Sequence, residues 1–139
     1  MSANNFYGFG TRKEAIAKVQ LIAGGSGNIL IRTGNAKNSK TKEALEYFKN
    51  PFFIQDFMYP LTLTNQAKSF DICAHVSGGG IIAQASAIKL GIARALLVFD
   101  PKMKPAMKSY KLLTQNRKYK ERKKVGKRGA RRSPQFTKR

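Results

Sequence analysis

The sequence predicts an α/β (α+β) fold for residues 1–113 followed by a long, extended basic tail over residues 114–139. Three observations carry this. Phe70 to Val76 alternates apolar and polar residues with the period of a half-buried strand. Ile81, Ala85, Ile88, Ile92, Leu96 and Phe99 then recur every three or four residues, the period of a core helix. Finally, the charge is segregated: residues 1–101 hold 11 basic and 6 acidic residues, a net +5, whereas 102–139 hold 16 and 1, a net +15.

In chain order, Glu14 to Ile22 carries Ala15, Ala17, Val19 and Leu21 alternating against Lys18 and Gln20, and reads as the first strand. Gly24-Gly25-Ser26-Gly27-Asn28 supplies residues tolerant of positive φ before the apolar Ile29-Leu30-Ile31, so the expectation is a hairpin. After a polar stretch, Thr41 is placed to cap a short helix with Glu43 in its first turn and Ala44, Leu45 and Phe48 on one face, interrupted by Asn50-Pro51. Phe52, Phe53, Phe57 and Tyr59 suggest a second short helix packed on the core and stopped at Pro60. In the strand Phe70 to Val76, Asp71, Cys73 and His75 share the face opposite to Phe70, Ile72, Ala74 and Val76. Asp100-Pro101 fits the N-cap and first position of another short helix, shortened or kinked by Pro105 unless that proline lies in its first turn. Beyond Leu113 the apolar periodicity ends, and a segment with so few large apolar side chains cannot bury enough surface to fold alone. Extended, residues 118–139 would span roughly 70 Å at about 3.3 Å each.

Several chemistries find no support. One His and one Cys, His75 and Cys73, leave no triad and no Cys/His zinc site, and two such residues on one strand face are ordinarily just partner- or solvent-facing. Neither Gly8-Phe9-Gly10 nor Gly24-Gly25-Ser26-Gly27 completes a dinucleotide fingerprint, and no Gly-Lys-Ser or Gly-Lys-Thr follows them. Catalytic residues, metal, cofactor, small-molecule substrate and membrane are therefore all expected to be absent. The start, Met1 to Asn5, lacks the pattern of a signal peptide, and no unbroken apolar run reaches about twenty residues.

What the residues do offer is cationic. A net charge of +20 exceeds what solubility requires and calls for a polyanionic partner. The tail cations Arg117, Lys118, Lys120, Arg122, Lys123, Lys124, Lys127, Arg128, Arg131 and Arg132 are candidates for phosphate contacts, with Gly126 and Gly129 allowing close backbone approach. The other readings of such a run are a solvated tail or a localisation signal. Arg12 and Lys13, before the first strand, are two further cations able to grip a phosphate from the folded domain. Gly78-Gly79-Gly80, between a strand and a helix start, is either an anion-binding turn or a tight turn needing positive φ.

Taken in order, Gly10-Thr11-Arg12-Lys13-Glu14-Ala15-Ile16-Ala17-Lys18-Val19, Gly78-Gly79-Gly80, Gly91-Ile92-Ala93-Arg94-Ala95-Leu96 and Lys120-Glu121-Arg122-Lys123-Lys124 through Ala130-Arg131-Arg132-Ser133-Pro134-Gln135-Phe136-Thr137-Lys138-Arg139 resemble the ninth small-subunit ribosomal protein family in its bacterial and organellar form. The likeness runs nearly end to end. It implies a four-stranded sheet backed by helices, seated among neighbouring proteins in the head of the small subunit, with a tail threading ribosomal RNA. It also implies that Lys138 and Arg139 reach the anticodon stem-loop of the P-site tRNA. The Lys-, Asn- and Phe-rich composition, like that of an AT-rich genome, suggests the plastid stroma, with a bacterial cytoplasm as the alternative. Two departures stand out. Arg32 to Glu46 is longer and more polar than the family's short turn, and Gly80-Ile81-Ile82-Ala83-Gln84-Ala85 lacks the usual Ser-Gly-Gln, so a backbone approach at Ala83 would be tighter.

Overall fold

The computed structural model describes residues 5–34, 39–116 and 118–138. The expected first strand is the second: β1 (Asn5–Arg12) precedes it and pairs antiparallel with β2 (Ala15–Ala23) across the two-residue loop Lys13-Glu14, in which Lys13 takes φ 52°. Ala15, Ala17, Val19 and Leu21 of β2 are buried, as their alternation requires.

The hairpin between β2 and β3 (Ile29–Thr33) does not form. Instead β5 (Phe70–Ser77) lies between them, antiparallel to β2 and parallel to β3. The physical cause is the carboxylate of Asp71, whose Oδ1 accepts the backbone N–H groups of Ser26, Gly27 and Asn28, each at 2.9 Å. The backbone N–H of Ile72 also donates to Asn28 O at 2.8 Å. The glycine turn therefore wraps the beginning of β5 rather than folding β3 back on β2, and a side chain at Gly25 would collide with Asp71. Phe70, Ile72, Ala74 and Val76 are buried, as the alternation foretells.

With β4 (Lys40–Glu43), the sheet has five strands rather than four, in the order β1-β2-β5-β3-β4. The additional edge strand, β4, comes from the long polar stretch and is exposed throughout. Thr41 consequently sits in a strand and caps no helix. α1 (Ala44–Phe48) starts after Glu43, burying Ala44 and Phe48 and leaving Leu45 exposed. Asn50 Oδ1 accepts the Phe52 N–H at 2.9 Å, and Pro51 takes the first position of α2 (Pro51–Leu63). This helix passes through Pro60 instead of stopping there. Only one backbone hydrogen bond is lost to the proline, and the hydroxyls of Thr62 and Thr64 donate to the carbonyls of Met58 and Pro60 in the last turn. The aromatic group divides: Phe57 is fully buried, whereas Phe52 projects outward.

α3 (Ile81–Phe99) is the core helix, burying Ala85, Ile88, Ile92 and Leu96 while its ends, Ile81 and Phe99, are partly exposed. It is long and apolar enough to cross a membrane, and its apolar side lies against β1 and β2. The approach is close. A Cβ at Gly8 or Gly10 would overlap the carbonyl oxygens of Gly91 and Ala87, so Gly8-Phe9-Gly10 serves helix–strand contact. Asp100 accepts the Lys102 N–H at 2.9 Å to cap a 3₁₀ turn, Pro101–Met103. α4 (Lys104–Ser109) follows with Pro105 in its first turn, where it is tolerated. Met107 and Leu112 close the core.

Candidate nucleic-acid interface

The core delivers the chain from Leu113 onward to the β1–β2 corner, and a short relay of side chains holds it there. Arg94, on α3, donates to Phe9 O at 2.7 Å and to Gln115 Oε1 at 3.4 Å, while Gln115 donates to the Thr11 hydroxyl. Farther on, the Tyr119 hydroxyl donates to the carbonyl of Lys13. These contacts bring Lys118 and Lys120 beside Lys13, and together with Glu14, Gly79, Gly80 and Ala83 they line an open cleft of about 590 Å³.

The two cations expected to act together part company. Lys13 stands at the hairpin tip facing this cleft, whereas Arg12, at the end of β1, faces a separate hollow of about 240 Å³ with Lys89 and Lys111. The separation coincides with the end of β1 at Arg12, after which Lys13 turns at φ 52° in the loop. Of that second set, Lys89 is already paired with Asp56 at 2.8 Å.

The structure divides the glycine run. Gly78 and Gly79 have φ of 67° and 62°, and a Cβ would come within 2.6 Å of Glu14 O at the first and 2.8 Å of Ala15 at the second. Both are glycine because the turn demands it. Gly80 has φ −100°, and a Cβ there would meet nothing within 4 Å. Neither conformation nor internal packing requires it to be glycine, and it is the member that opens onto the cleft together with Gly79. Beneath the turn, the buried Gln84 donates through Nε2 to Gly78 O at 3.0 Å and accepts from the Tyr47 hydroxyl at 2.7 Å. The base of the cleft is thus fixed by hydrogen bonds.

Beyond the cleft, residues 121–133 fold back on themselves. Glu121 accepts from Arg131 with both carboxylate oxygens, Oε2 from Nε at 3.0 Å and Oε1 from Nη2 at 2.6 Å. The guanidinium hydrogen bond holds the Glu121 carboxyl below the usual glutamate range and raises the Arg131 guanidinium in turn. Inside this ring Gly126 turns at φ 74° and Lys127 N–H donates to Lys124 O at 3.2 Å, while Arg128 N–H donates to Arg132 O, just outside it, at 2.8 Å. Lys127 Nζ reaches the Ser133 hydroxyl at 2.6 Å, and Arg122 donates to Lys123 O at 3.1 Å. Lys123, Lys124, Arg128 and Arg132 remain exposed around the loop, as do Phe136 and Lys138 beyond it. Arg117 and Arg139, both expected to contact RNA, lie outside the described residues.

Elsewhere, His75 and Cys73 share a strand face as anticipated, and His75 Nε2 donates to Gly34 O at 2.9 Å, which accounts for the imidazole without chemistry. Among the described residues no group of three or more His, Cys, Asp or Glu could hold a metal ion. Sequence reasoning missed the open face of β1 and β2, where Tyr7 and Phe9 are exposed and Lys18 Nζ sits 5.8 Å from the Phe9 ring centre. The signal was present in Phe6-Tyr7-Gly8-Phe9-Gly10, once the two glycines are counted as inward positions.

Residues 10–139 match the family model described as ribosomal protein S9/S16. The chain is 47% identical to the small ribosomal subunit protein uS9 of Mycoplasma pneumoniae over 140 residues, covering 100% of both chains. It is 45% identical to the uS9 protein of Thermotoga petrophila over 135 residues, covering 96% of both, and 47% identical to that of Malacoplasma penetrans over 139 residues, covering 100% of both.

Proposed function

Because the chain belongs to the ribosomal protein S9/S16 family, we propose that it is a structural constituent of the small subunit of a bacterial-type ribosome, not an enzyme, and that it works by holding ribosomal RNA. The observation that carries the RNA-binding reading is the cleft in which Lys13, Lys118 and Lys120 converge over Gly79 and Gly80. Three lysines brought to one cleft by the Tyr119 and Gln115 hydrogen bonds outnumber its single carboxylate, Glu14, and leave it net positive, which favours an anion there. An RNA phosphate fits that need, and the tail cations continue the same contact along the backbone.

In this reading the tail acts as an anchored arm. Arg117, Lys118, Lys120, Arg122, Lys123, Lys124, Lys127, Arg128, Arg131 and Arg132 meet ribosomal RNA, while Lys138 and Arg139 at the tip meet P-site tRNA. An arm held along its length has little ordering entropy left to lose when tRNA arrives, and a contact with phosphates stabilises any tRNA regardless of its sequence. The bacterial source of the relatives quoted above favours a bacterial cytoplasm over a plastid stroma.

Binding of the full chain to small-subunit RNA at several salt concentrations tests the first half. Affinity should fall steeply with salt, and removal of residues 118–139 should flatten that dependence. The tip is tested by deleting Lys138 and Arg139. Subunits should still assemble while retaining P-site tRNA less well; loss of assembly with unchanged tRNA retention would refute this division of labour.

A further inference from the structure

We propose that Glu121 is a positioning residue for RNA binding: by clasping Arg131 it closes residues 121–131 into a preset loop that presents Lys123, Lys124 and Arg128 as one spatially fixed set for the phosphates of a folded RNA. The inference rests on the reading that the tail binds RNA, and it changes what the tail is. Binding would depend on a shape as well as on a charge.

The acid in this tail is an anomaly. Residues 102–139 hold 16 basic residues and a single acid, Glu121. For a tail that binds only by releasing counterions, this acid is a loss twice over, because it cancels one positive charge and occupies the donor fork of a second. Its geometry argues against a solubilising role, since a carboxylate turned to water has no reason to engage one guanidinium through both oxygens, at 3.0 and 2.6 Å. Nor is the contact between chain neighbours. It joins positions ten residues apart, and the turn it encloses has its own internal bonds, Lys127 N–H to Lys124 O and Lys124 N–H to Gly129 O, with Gly126 at a φ of 74° suited to glycine; Arg128 N–H donates to Arg132 O just beyond it. Ser133 pins Lys127 from outside the ring.

The cations consequently separate into two classes. Arg131 and Lys127 hold the loop, and Arg122 donates to a carbonyl of its own strand of chain, so these three meet RNA only with the donors left over. Lys123, Lys124 and Arg128 are exposed on the closed loop and have fixed relative positions only while it stays closed. A set fixed before contact loses less conformational freedom on meeting phosphates than the same cations on an open chain. The matching ligand is a folded RNA segment, whose phosphates are themselves fixed in space.

The test uses the full chain and transcribed small-subunit RNA, with affinities measured across a salt series. Simple electrostatics predicts that E121Q, which adds one net positive charge and frees Arg131, binds more tightly. The clasp predicts the opposite sign: E121Q should bind about two- to fivefold more weakly at moderate salt, while the slope against log salt stays equal or becomes steeper because Arg131 is now available to a phosphate. The exchanged pair E121R/R131E keeps the wild-type net charge and should recover most of the loss. E121Q binding as tightly as wild type or more tightly overturns the proposal, and so does an exchanged pair no better than E121Q. Deleting residues 121–139 separates this failure from that of the parent reading, because a deletion with no effect on affinity shows that this part of the tail does not bind RNA.

Discussion

Replacing Gly79 and Gly80 one at a time by alanine separates the structural from the functional content of the glycine turn. At Gly79 the backbone stands at φ 62°, where an L-residue costs about 1–2 kcal/mol, and the new Cβ would lie 2.8 Å from Ala15 Cβ and N, an overlap of the kind that costs about 1–3 kcal/mol in a packed site. With partial relaxation Gly79→Ala should destabilise the fold by about 2–4 kcal/mol, lowering the melting temperature by roughly 8–16 °C for a chain of this size. At Gly80 the backbone is extended and the space is empty, so the small loss at a helix N-cap is offset by the reduced freedom of the unfolded chain, and Gly80→Ala should melt within about 0.5 kcal/mol of wild type. Its effect should appear on RNA instead. A methyl group projecting into the cleft displaces a phosphate from the backbone, and losing even half of a charged hydrogen bond weakens binding about threefold or more. Thermal unfolding followed by circular dichroism, together with RNA binding at fixed salt, reads both quantities. A Gly80→Ala variant that melts like wild type and also binds RNA like wild type would refute the assignment of the cleft to phosphate. Unchanged stability in Gly79→Ala would refute the reading of the turn.

Gly10→Ala places a Cβ against the Ala87 carbonyl where β1 and α3 meet, and should cost about 2–3 kcal/mol, seen as a lower denaturant midpoint with little change in slope. Asp71→Ala leaves the N–H groups of Ser26, Gly27 and Asn28 without their shared acceptor, and a loss of about 2–3 kcal/mol with faster amide exchange confined to that turn and the start of β5 is expected. The Glu121–Arg131 clasp should be pH dependent in one direction. Because the clasped glutamate titrates below its ordinary value, the clasp is fully formed above that value and opens as pH falls through the lowered one, so the Arg131 Nε–H resonance should shift only on the acid side of the usual glutamate range. A shift centred near neutrality would contradict the assignment.

How much of this was legible in the sequence depended on whether the controlling contact was local. Phe70 to Ser77 and Ile81 to Phe99 could be read because burial of one face imposes a period on the residues themselves. The β2–β3 turn was misread because its decisive partner, Asp71, lies more than forty residues away, and glycines that look like a hairpin loop serve equally well to wrap another strand. β1 escaped notice because Gly8 and Gly10 occupy inward positions where apolar residues are expected, for a reason that exists only once Gly91 and Ala87 arrive. β4, exposed on an edge, has no buried face to leave a pattern. For the candidate interface, composition located the cations, but not which would meet. Arg12 and Lys13 are adjacent in the chain and face different hollows, whereas Lys13, Lys118 and Lys120 are brought together by Tyr119. The Glu121 clasp was hidden because one acid in a basic tail looks like noise until its partner is seen.

The insertion of β5 between β2 and β3 also governs when this protein can exist as a folded object. During synthesis β2 and β3 emerge early but have no partner in each other, and the gap between them stays open until Phe70 to Ser77 appears. α3, which seals β1 and β2, follows directly after. At about 5–20 residues per second, the 68 residues between the ends of the Ile29–Ile31 run and α3 take roughly 3 to 14 s, an interval in which two strand edges and their apolar faces stay uncovered. The polycationic arm comes last of all. Each nascent chain therefore meets its interior requirements before most of its charge has left the ribosome that is making it, so a finished core is ready by the time the arm can seek a ribosome of its own.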